Sequence, residues 1–258
     1  MCSINNAVRM VRWNDLWISF NGGLDIMKAA IMQPYFFPYV GYFQLINSVD
    51  QFIVYDNIKY TKKGWINRNR FLQNGSDVVF SIPLKKDSDR LDVRERTISA
   101  DFNKGKFLNQ FREAYRRAPY FEQAFSVFEK VVLNDETNLF NYIYNSITEI
   151  CEYLTIDTEI VISSHLQVDH SLQGKDKVVA LCKHVGADVY INAIGGQDLY
   201  SKEDFIARGI EIKFLKPKPL EYRQFHDEFV PWLSILDVMM FNSKEHIKHY
   251  VLNNYELL

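Results

Sequence analysis

KAAIMQPYFFPYVGYF, residues 28–43, runs from a short apolar segment into a proline-bracketed aromatic loop and leaves it through a glycine. Ala29, Ala30, Ile31 and Met32 show no polar alternation, the pattern of a central strand covered on both faces. Pro34 ends the run because it has no N–H to give to a ladder, and Pro38 breaks the chain a second time. Gly41 permits a tight turn or close backbone approach before Tyr42, Phe43, Leu45 and Ile46 resume at helical spacing. The reading is strand, rigid loop, helix. In an open parallel sheet ligands bind at the carboxyl ends of strands, which places this loop on the binding edge. An aromatic loop that only caps the core is the alternative these residues leave open.

Working outward, Gln51–Tyr55 and Val78–Ile82 read as further strands, the first ending at Asp56-Asn57 and the second at Pro83. Residues 84–100 are charged and irregular, as a solvated loop is. From about 101 to 155 the spacing turns helical. Phe107, Phe111 and Tyr115, then Phe121, Phe125 and Phe128, then Leu139, Ile143, Ile147, Ile150 and Leu154 mark three helices. Pro119 and residues 134–137 divide them, with Asp135 or Thr137 as the expected N-cap of the third. Glu159–Ile162, Gly174–His184 and Asp188–Ile191 then form a βαβ unit, with Gly186 at the helix C′ position. A strand at Ile210–Leu215, a loop around Pro217 and Pro219, and helices at Ser234–Phe241 and Ser243–Tyr255 complete the chain. The expected fold is α/β, a Rossmann-like, mostly parallel sheet with a helical insertion at about 101–155.

With 258 residues, 47% of them hydrophobic and 15% aromatic, the chain can bury a sizeable core. Residues 1–26 lack a clear period and read as an N-terminal extension or tail, with Met27 directly before the strand and 27–258 as a single domain. A net charge of −2 and a pI near 6.3 give no general attraction to nucleic acid, so an anionic ligand must be held by local groups. Cys2, Cys151 and Cys182 are odd in number and have no CxxC spacing, which argues against a disulfide framework and a zinc site and for a reducing, cytoplasmic compartment. No apolar run approaches the ~20 residues of a membrane helix. The histidines show no metal-ligand spacing, so no metal ligands are assigned.

Three loops carry candidate chemistry. Residues 56–70 interleave Asp56, Asn57, Tyr60, Lys62, Lys63, Trp65, Asn67, Arg68 and Arg70: guanidinium forks and lysines suit phosphate or carboxylate, and Trp65 or Tyr60 can stack on a base or sugar. Such a cluster is equally a basic surface turn with a structural tryptophan. After the strand at 188–191, Gly195 and Gly196 can turn backbone N–H groups toward an oxyanion, with Tyr200 beyond them, although a Gly-Gly pair is often a simple turn. His165, in the Ser163-Ser164-His165 run, is a general-base candidate or a structural histidine. Parallel strands bring all three loops to one sheet edge. Asp237 and Ser234 can reach the same edge, and helix capping explains Ser234 as well.

MQPYFFPYVGYF, DNIKYTKKGWINRNR, LCKHVGADVYINAIGGQDLY and FVPWLSILDVMMFN, in that order, resemble the WbqC family of bacterial proteins over nearly all of 27–258. The resemblance implies a place in surface-polysaccharide (O-antigen) biosynthesis and a transferase that attaches an amino acid, notably glycine, or another acyl group to the amino group of a nucleotide-linked amino sugar. Amide formation of this kind implies ATP with magnesium, or a ready-made acyl donor, as co-substrate. Gln33, Tyr35, Tyr39 and Tyr42 would line the site with Asp56, Tyr60, Trp65, Asn67, Gly195, Gly196, Tyr200 and Asp237, while Lys63, Arg68 and His165 would act in catalysis; a homodimer is one assembly the sequence admits. The strand–loop–helix start also resembles the HxGH loop of nucleotidylyltransferase-type folds. Tyr39-Val40-Gly41-Tyr42 stands there with tyrosines at both histidine positions, so catalytic groups would come from elsewhere. A nucleotidylyltransferase-like enzyme and a non-catalytic nucleotide-sugar-binding subunit are the alternatives.

Overall fold

A six-stranded sheet with the classical doubly-wound order organises the molecule. The computed structural model describes residues 26–226 and 228–258, together with the backbone of 9–13 and 16–20. Arg9–Trp13 (β1) and Leu16–Phe20 (β2) pair as an antiparallel ribbon within the segment expected to be an extension, while 1–8 (including Cys2), 14–15 and 21–25 lie outside the described residues.

Lys28–Met32 (β3) leads through the aromatic loop into helix Val40–Asn47 (α1) and strand Gln51–Val54 (β4). An antiparallel ribbon follows, Arg68–Gln73 (β5) with Ser76–Ser81 (β6), and then helices Lys104–Tyr115 (α2), Phe121–Leu133 (α3) and Leu139–Leu154 (α4). Glu159–Ile162 (β7), Gly174–His184 (α5), Val189–Ala193 (β8), Lys202–Ile206 (α6), Glu211–Pro217 (β9), Ile235–Phe241 (α7) and Tyr255–Leu257 (β10) complete the order.

The sheet runs β10-β9-β8-β3-β4-β7, parallel except for β10. Counting only its own strands in chain order, this is 6-5-4-1-2-3, with the reversal of winding between β3 and β8. Alternation along β3 divides the two layers. Ala29 and Ile31 face the α5 side with Val178, Val179, Leu181, Tyr190 and Phe205, whereas Ala30 joins Phe43, Phe52 and Ile191 in the larger core on the other face. The larger core continues into a stack of rings that ties β5–β6 to the helices: Phe71 on Phe111 at 4.5 Å, and Phe111 on Phe128 at 4.4 Å.

Three boundaries differ from the sequence expectation. Val78–Ile82 is not a strand of the main sheet but belongs to the β5–β6 ribbon, and its partner strand starts at the end of the polar run of 56–70. The N-cap of α4 is Asn138, whose side chain accepts from Asn141 N–H at 3.1 Å. The closing helix stops near Val251, so that β10 can pair with β9. Gly186 sits at φ +71° directly after α5, the left-handed C′ geometry that a side chain disfavours. Cys151 and Cys182 are buried free thiols, and burial pushes both up to about 12. Among the described residues no helix is long and apolar enough to cross a membrane.

Candidate ligand-binding cleft

The sheet opens where its winding reverses. β3 pairs with β4 through four residues and β8 with β9 through five, but β3 meets β8 only at Lys28–Val189 and Ala29–Tyr190. The two central strands therefore part toward their carboxyl ends, which is where a doubly-wound sheet accommodates a ligand. A cleft of three adjoining lobes occupies this edge, and Tyr39 and Trp232 line all three.

The first lobe, about 270 Å³, is walled by Tyr35, Pro38, Tyr39, Trp65, Asn69, Arg70 and Trp232. Asn69 and Arg70 come from β5, so the ribbon supplies one wall of the site. Trp65 stands 42% exposed, with the Arg68 and Arg70 guanidinium carbons 5.3 and 5.4 Å from its ring centre. Arg70 holds Asp77 through Nη1 at 3.0 Å, and its Nε is buried without a partner among the described residues. The second lobe, about 420 Å³, lies under α1 between the ends of β3, β8 and β9, lined by Met32, Tyr42, Leu45, Ala193, Ile194, Leu215 and Pro217 among others. The third, about 560 Å³, runs from Lys216 and Lys218 past Glu221 and Tyr222 to Trp232.

Trp232 marks the centre of this arrangement. It is 60% exposed, adopts φ +62°, and packs against Tyr39 with ring centres 5.2 Å apart. A bulky residue held in left-handed geometry on a surface needs surroundings that over-determine it. Phe37, at φ +44°, is also left-handed but is buried in the core. There the reason is visible: its carbonyl accepts from Asn69 Nδ2 at 2.7 Å and Ser234 Oγ at 2.8 Å, while Pro38 O accepts from Ile235 N–H at 2.9 Å. The loop expected from 28–43 is thus clamped by the ribbon and by the start of α7.

The structure brings Tyr35, Tyr39, Tyr42 and Trp65 together. Tyr42 is buried, its hydroxyl donating to Gln33 O at 3.0 Å, and Tyr35 donates to Gln33 Oε1 at 3.2 Å, so Gln33 braces two of the tyrosines. Burial raises the pKa of Tyr35, Tyr39 and Tyr42 above the usual phenol value, which keeps them protonated donors.

Other candidates are placed elsewhere or are already engaged. Arg68 is bound to the carbonyls of its own turn, Nε to Gly64 O at 2.8 Å and Nη2 to Lys63 O, and the Lys63 side chain is exposed. Tyr60 and Asn67 clip that turn to β6: Tyr60 donates to Asn67 Oδ1 at 2.8 Å, and Asn67 Nδ2 donates to Ile82 O at 2.7 Å. Gly195 is exposed, whereas Gly196 packs so closely on Asn192 that a Cβ would lie 2.4 Å from its Nδ2. Tyr200 packs edge-on to Tyr190 and Phe205 on the α5 face. Asp237 is fully buried behind the cleft and accepts from Tyr115, Tyr222 and Gln224 at 2.7–2.8 Å; loss of solvent pushes its carboxyl up to about 6 against those stabilising bonds.

Asp56 anchors a separate polar node at the β4–β7 end of the same edge. Its carboxylate accepts from Ser163 Oγ (2.7 Å), Ser164 N–H (2.9 Å) and Ser164 Oγ (2.6 Å). Beside it, His170 Nδ1 receives Asn57 Nδ2 at 2.8 Å and the buried Lys177 Nζ at 2.6 Å, with Nε2 on Leu166 O at 3.1 Å. His165 lies exposed in the turn that follows β7.

Trp232 was not among the residues singled out from the sequence. It lay in the quoted FVPWLSILDVMMFN segment, and the left-handed backbone that presents it has no local signature in VPWL. Arg68 and Arg70 share a face of β5 and both guanidinium groups lie over Trp65, but Arg70 lines the cleft whereas the Arg68 fork is turned back on the carbonyls of its own loop.

The protein is 29% identical over 217 residues to the uncharacterised protein Rv1507c of Mycobacterium tuberculosis (strain ATCC 25618 / H37Rv), a match covering 82% of this chain and 92% of the relative. A model of the WbqC-like protein family matches residues 33–249, which takes in the aromatic loop, the ribbon, the central strand β8 and Trp232, and the chain belongs to that family.

Proposed function

We propose that this protein acts in the biosynthesis of a surface-polysaccharide precursor, binding a nucleotide-linked amino sugar in the aromatic cleft and joining an amino acid or other acyl group to the sugar's amino group. The observation that carries this reading is the first lobe: Tyr39, Trp65 and Trp232 supply ring faces for a base or sugar, and the Arg70 side chain lines the same lobe beside them. In the transfer a C–N bond forms between the amine and an activated carbonyl carbon. The bond from that carbon to its phosphate or thiol leaving group breaks, and the amine proton leaves with a base. Activation comes from ATP with magnesium or from a thioester donor. The protein's own contribution is then to orient the amine and exclude water.

A second reading rests on a specific feature of the lining. Among the described residues, no carboxylate or histidine lines the first two lobes, whose polar side chains are those of tyrosines, tryptophans, Asn69, Arg70 and Lys216; Glu221 stands in the third. This favours a non-catalytic subunit that presents a nucleotide sugar to a partner.

Incubation with UDP- and dTDP-linked amino sugars, ATP and glycine, read by mass spectrometry, separates the readings. An acylated sugar with AMP or ADP supports transfer, and pyrophosphate without an acylated product supports nucleotidyl transfer. Tight binding without turnover supports the subunit. Absence of both binding and product across the panel would sink the nucleotide-sugar assignment.

A further inference from the structure

The second lobe differs from the first in what it can hold. Met32, Leu45, Ala193, Ile194, Leu215 and Pro217 form its walls where β3 and β8 part, around a volume of about 420 Å³. An apolar cavity of about 150 Å³ accepts benzene, so this lobe has room for a chain of several carbons.

Three of its polar groups are already engaged. The Tyr42 hydroxyl is held by Gln33 O, the Tyr35 hydroxyl by Gln33 Oε1, and the Lys216 ammonium pairs with Glu256 at 3.2 Å. Among the described residues no carboxylate lines this lobe to pair with a glycine ammonium, whereas hydrocarbon would gain from every carbon buried. The lobe is also continuous, across Tyr39 and Trp232, with the wall lined by the cationic Arg70 side chain. An occupant with an apolar tail and an anionic head therefore finds both halves of its chemistry within one cleft.

We propose that the lobe between β3, β8 and β9 is an acyl-chain subsite, and that the group handled by this protein is an aliphatic acyl chain on an anionic carrier rather than glycine. This rests on the acyl-transfer reading above and names the class of acyl group.

The test is isothermal titration of the protein with coenzyme A thioesters of two, four, six, eight and ten carbons, and with the free fatty acids of the same lengths. Affinity should rise about fourfold per methylene, the fold-change equivalent to burying one CH₂, until the lobe is full, and should then level off. Thioesters that bind more tightly than free acids of equal length identify a carrier-linked chain; equal affinities identify the free acid as the occupant and overturn the carrier half of the proposal. Ala193→Phe fills the lobe and should abolish the chain-length dependence. Should that variant not fold, Ala193→Leu should shorten by one or two carbons the length at which affinity levels off. Affinity independent of chain length, or chain-length dependence unchanged in a folded Ala193 variant, would overturn the subsite. Parallel titration with a UDP-amino sugar reports on the nucleotide-sugar reading, so either can fail alone.

Discussion

The two ends of the sheet's carboxyl edge are built from similar material and do opposite things with it. At the β4–β7 end, Asp56, Asn57, Ser163, Ser164, His170 and Lys177 are joined donor to acceptor, and two charged side chains are buried there as part of a network. At the β3–β8–β9 end, tyrosines and tryptophans line open volume, and a guanidinium N–H lacks a partner. A dense polar motif that satisfies itself stabilises the fold. A binding edge is recognised by the open volume its side chains line.

Breaking the polar node should give the largest effect. Asp56→Ala removes the acceptor of three donors, and at roughly 1–3 kcal/mol for each group left unpaired it should lower unfolding free energy by about 3–5 kcal/mol in urea titrations. Ligand affinity of the folded fraction should stay unchanged. A loss below about 1 kcal/mol would show that the node is not the anchor its geometry indicates.

Next is the carboxyl behind the cleft. Asp237 is raised from 3.8 to about 6 by burial, so the folded state binds its proton more tightly than the unfolded chain does. Its contribution is therefore most favourable below about pH 4 and is lost as pH rises toward 6, by about 3 kcal/mol in all. The stability difference between Asp237→Asn and wild type should shift by that amount in favour of the variant between pH 4 and pH 7. A constant difference would contradict it.

Smaller effects sharpen the cleft itself. Arg70→Ala should weaken nucleotide-sugar binding about tenfold, the loss of one charge-assisted bond, whereas Arg68→Ala, whose fork serves its own turn, should change affinity by less than about threefold. Trp232→Gly should leave stability within about 1 kcal/mol of wild type, because relief of the left-handed backbone offsets the added freedom of the unfolded chain. Its ligand affinity should nonetheless fall, and preserved affinity would remove Trp232 from the site.

The fold was largely legible because its determinants are local. KAAIM, QFIV and EIVI announce buried strands, and the phenylalanine spacing of 101–154 announces helices. β5 was hidden because its inward face carries Asn69 before Phe71, and that asparagine is needed to hold Phe37 O. β10 was hidden because three residues following a helix have too little pattern to declare themselves. The candidate site was legible in its aromatic loop and in Trp65. Arg70 was named together with Arg68, but which of the two lines the cleft, and the left-handed backbone that presents Trp232, depend on packing that no window of sequence contains. Asp56 illustrates the converse: a carboxylate at a strand end reads as chemistry until its partners 107 and 108 residues away are seen.

The carbonyl of Phe37 joins segments that the ribosome delivers at very different times, since Asn69 is 32 residues later and Ser234 is 197. A nascent chain can assemble β3, β4 and the helices early, but the aromatic loop has only part of its clamp until the start of α7 has emerged. Domains fold as their contacts become available during synthesis, so the pocket closes near the end of translation, after most of the core. Ligand binding would then serve as a readout of completed folding, and a chain stalled before residue 234 would carry a nearly finished sheet with an unfinished site.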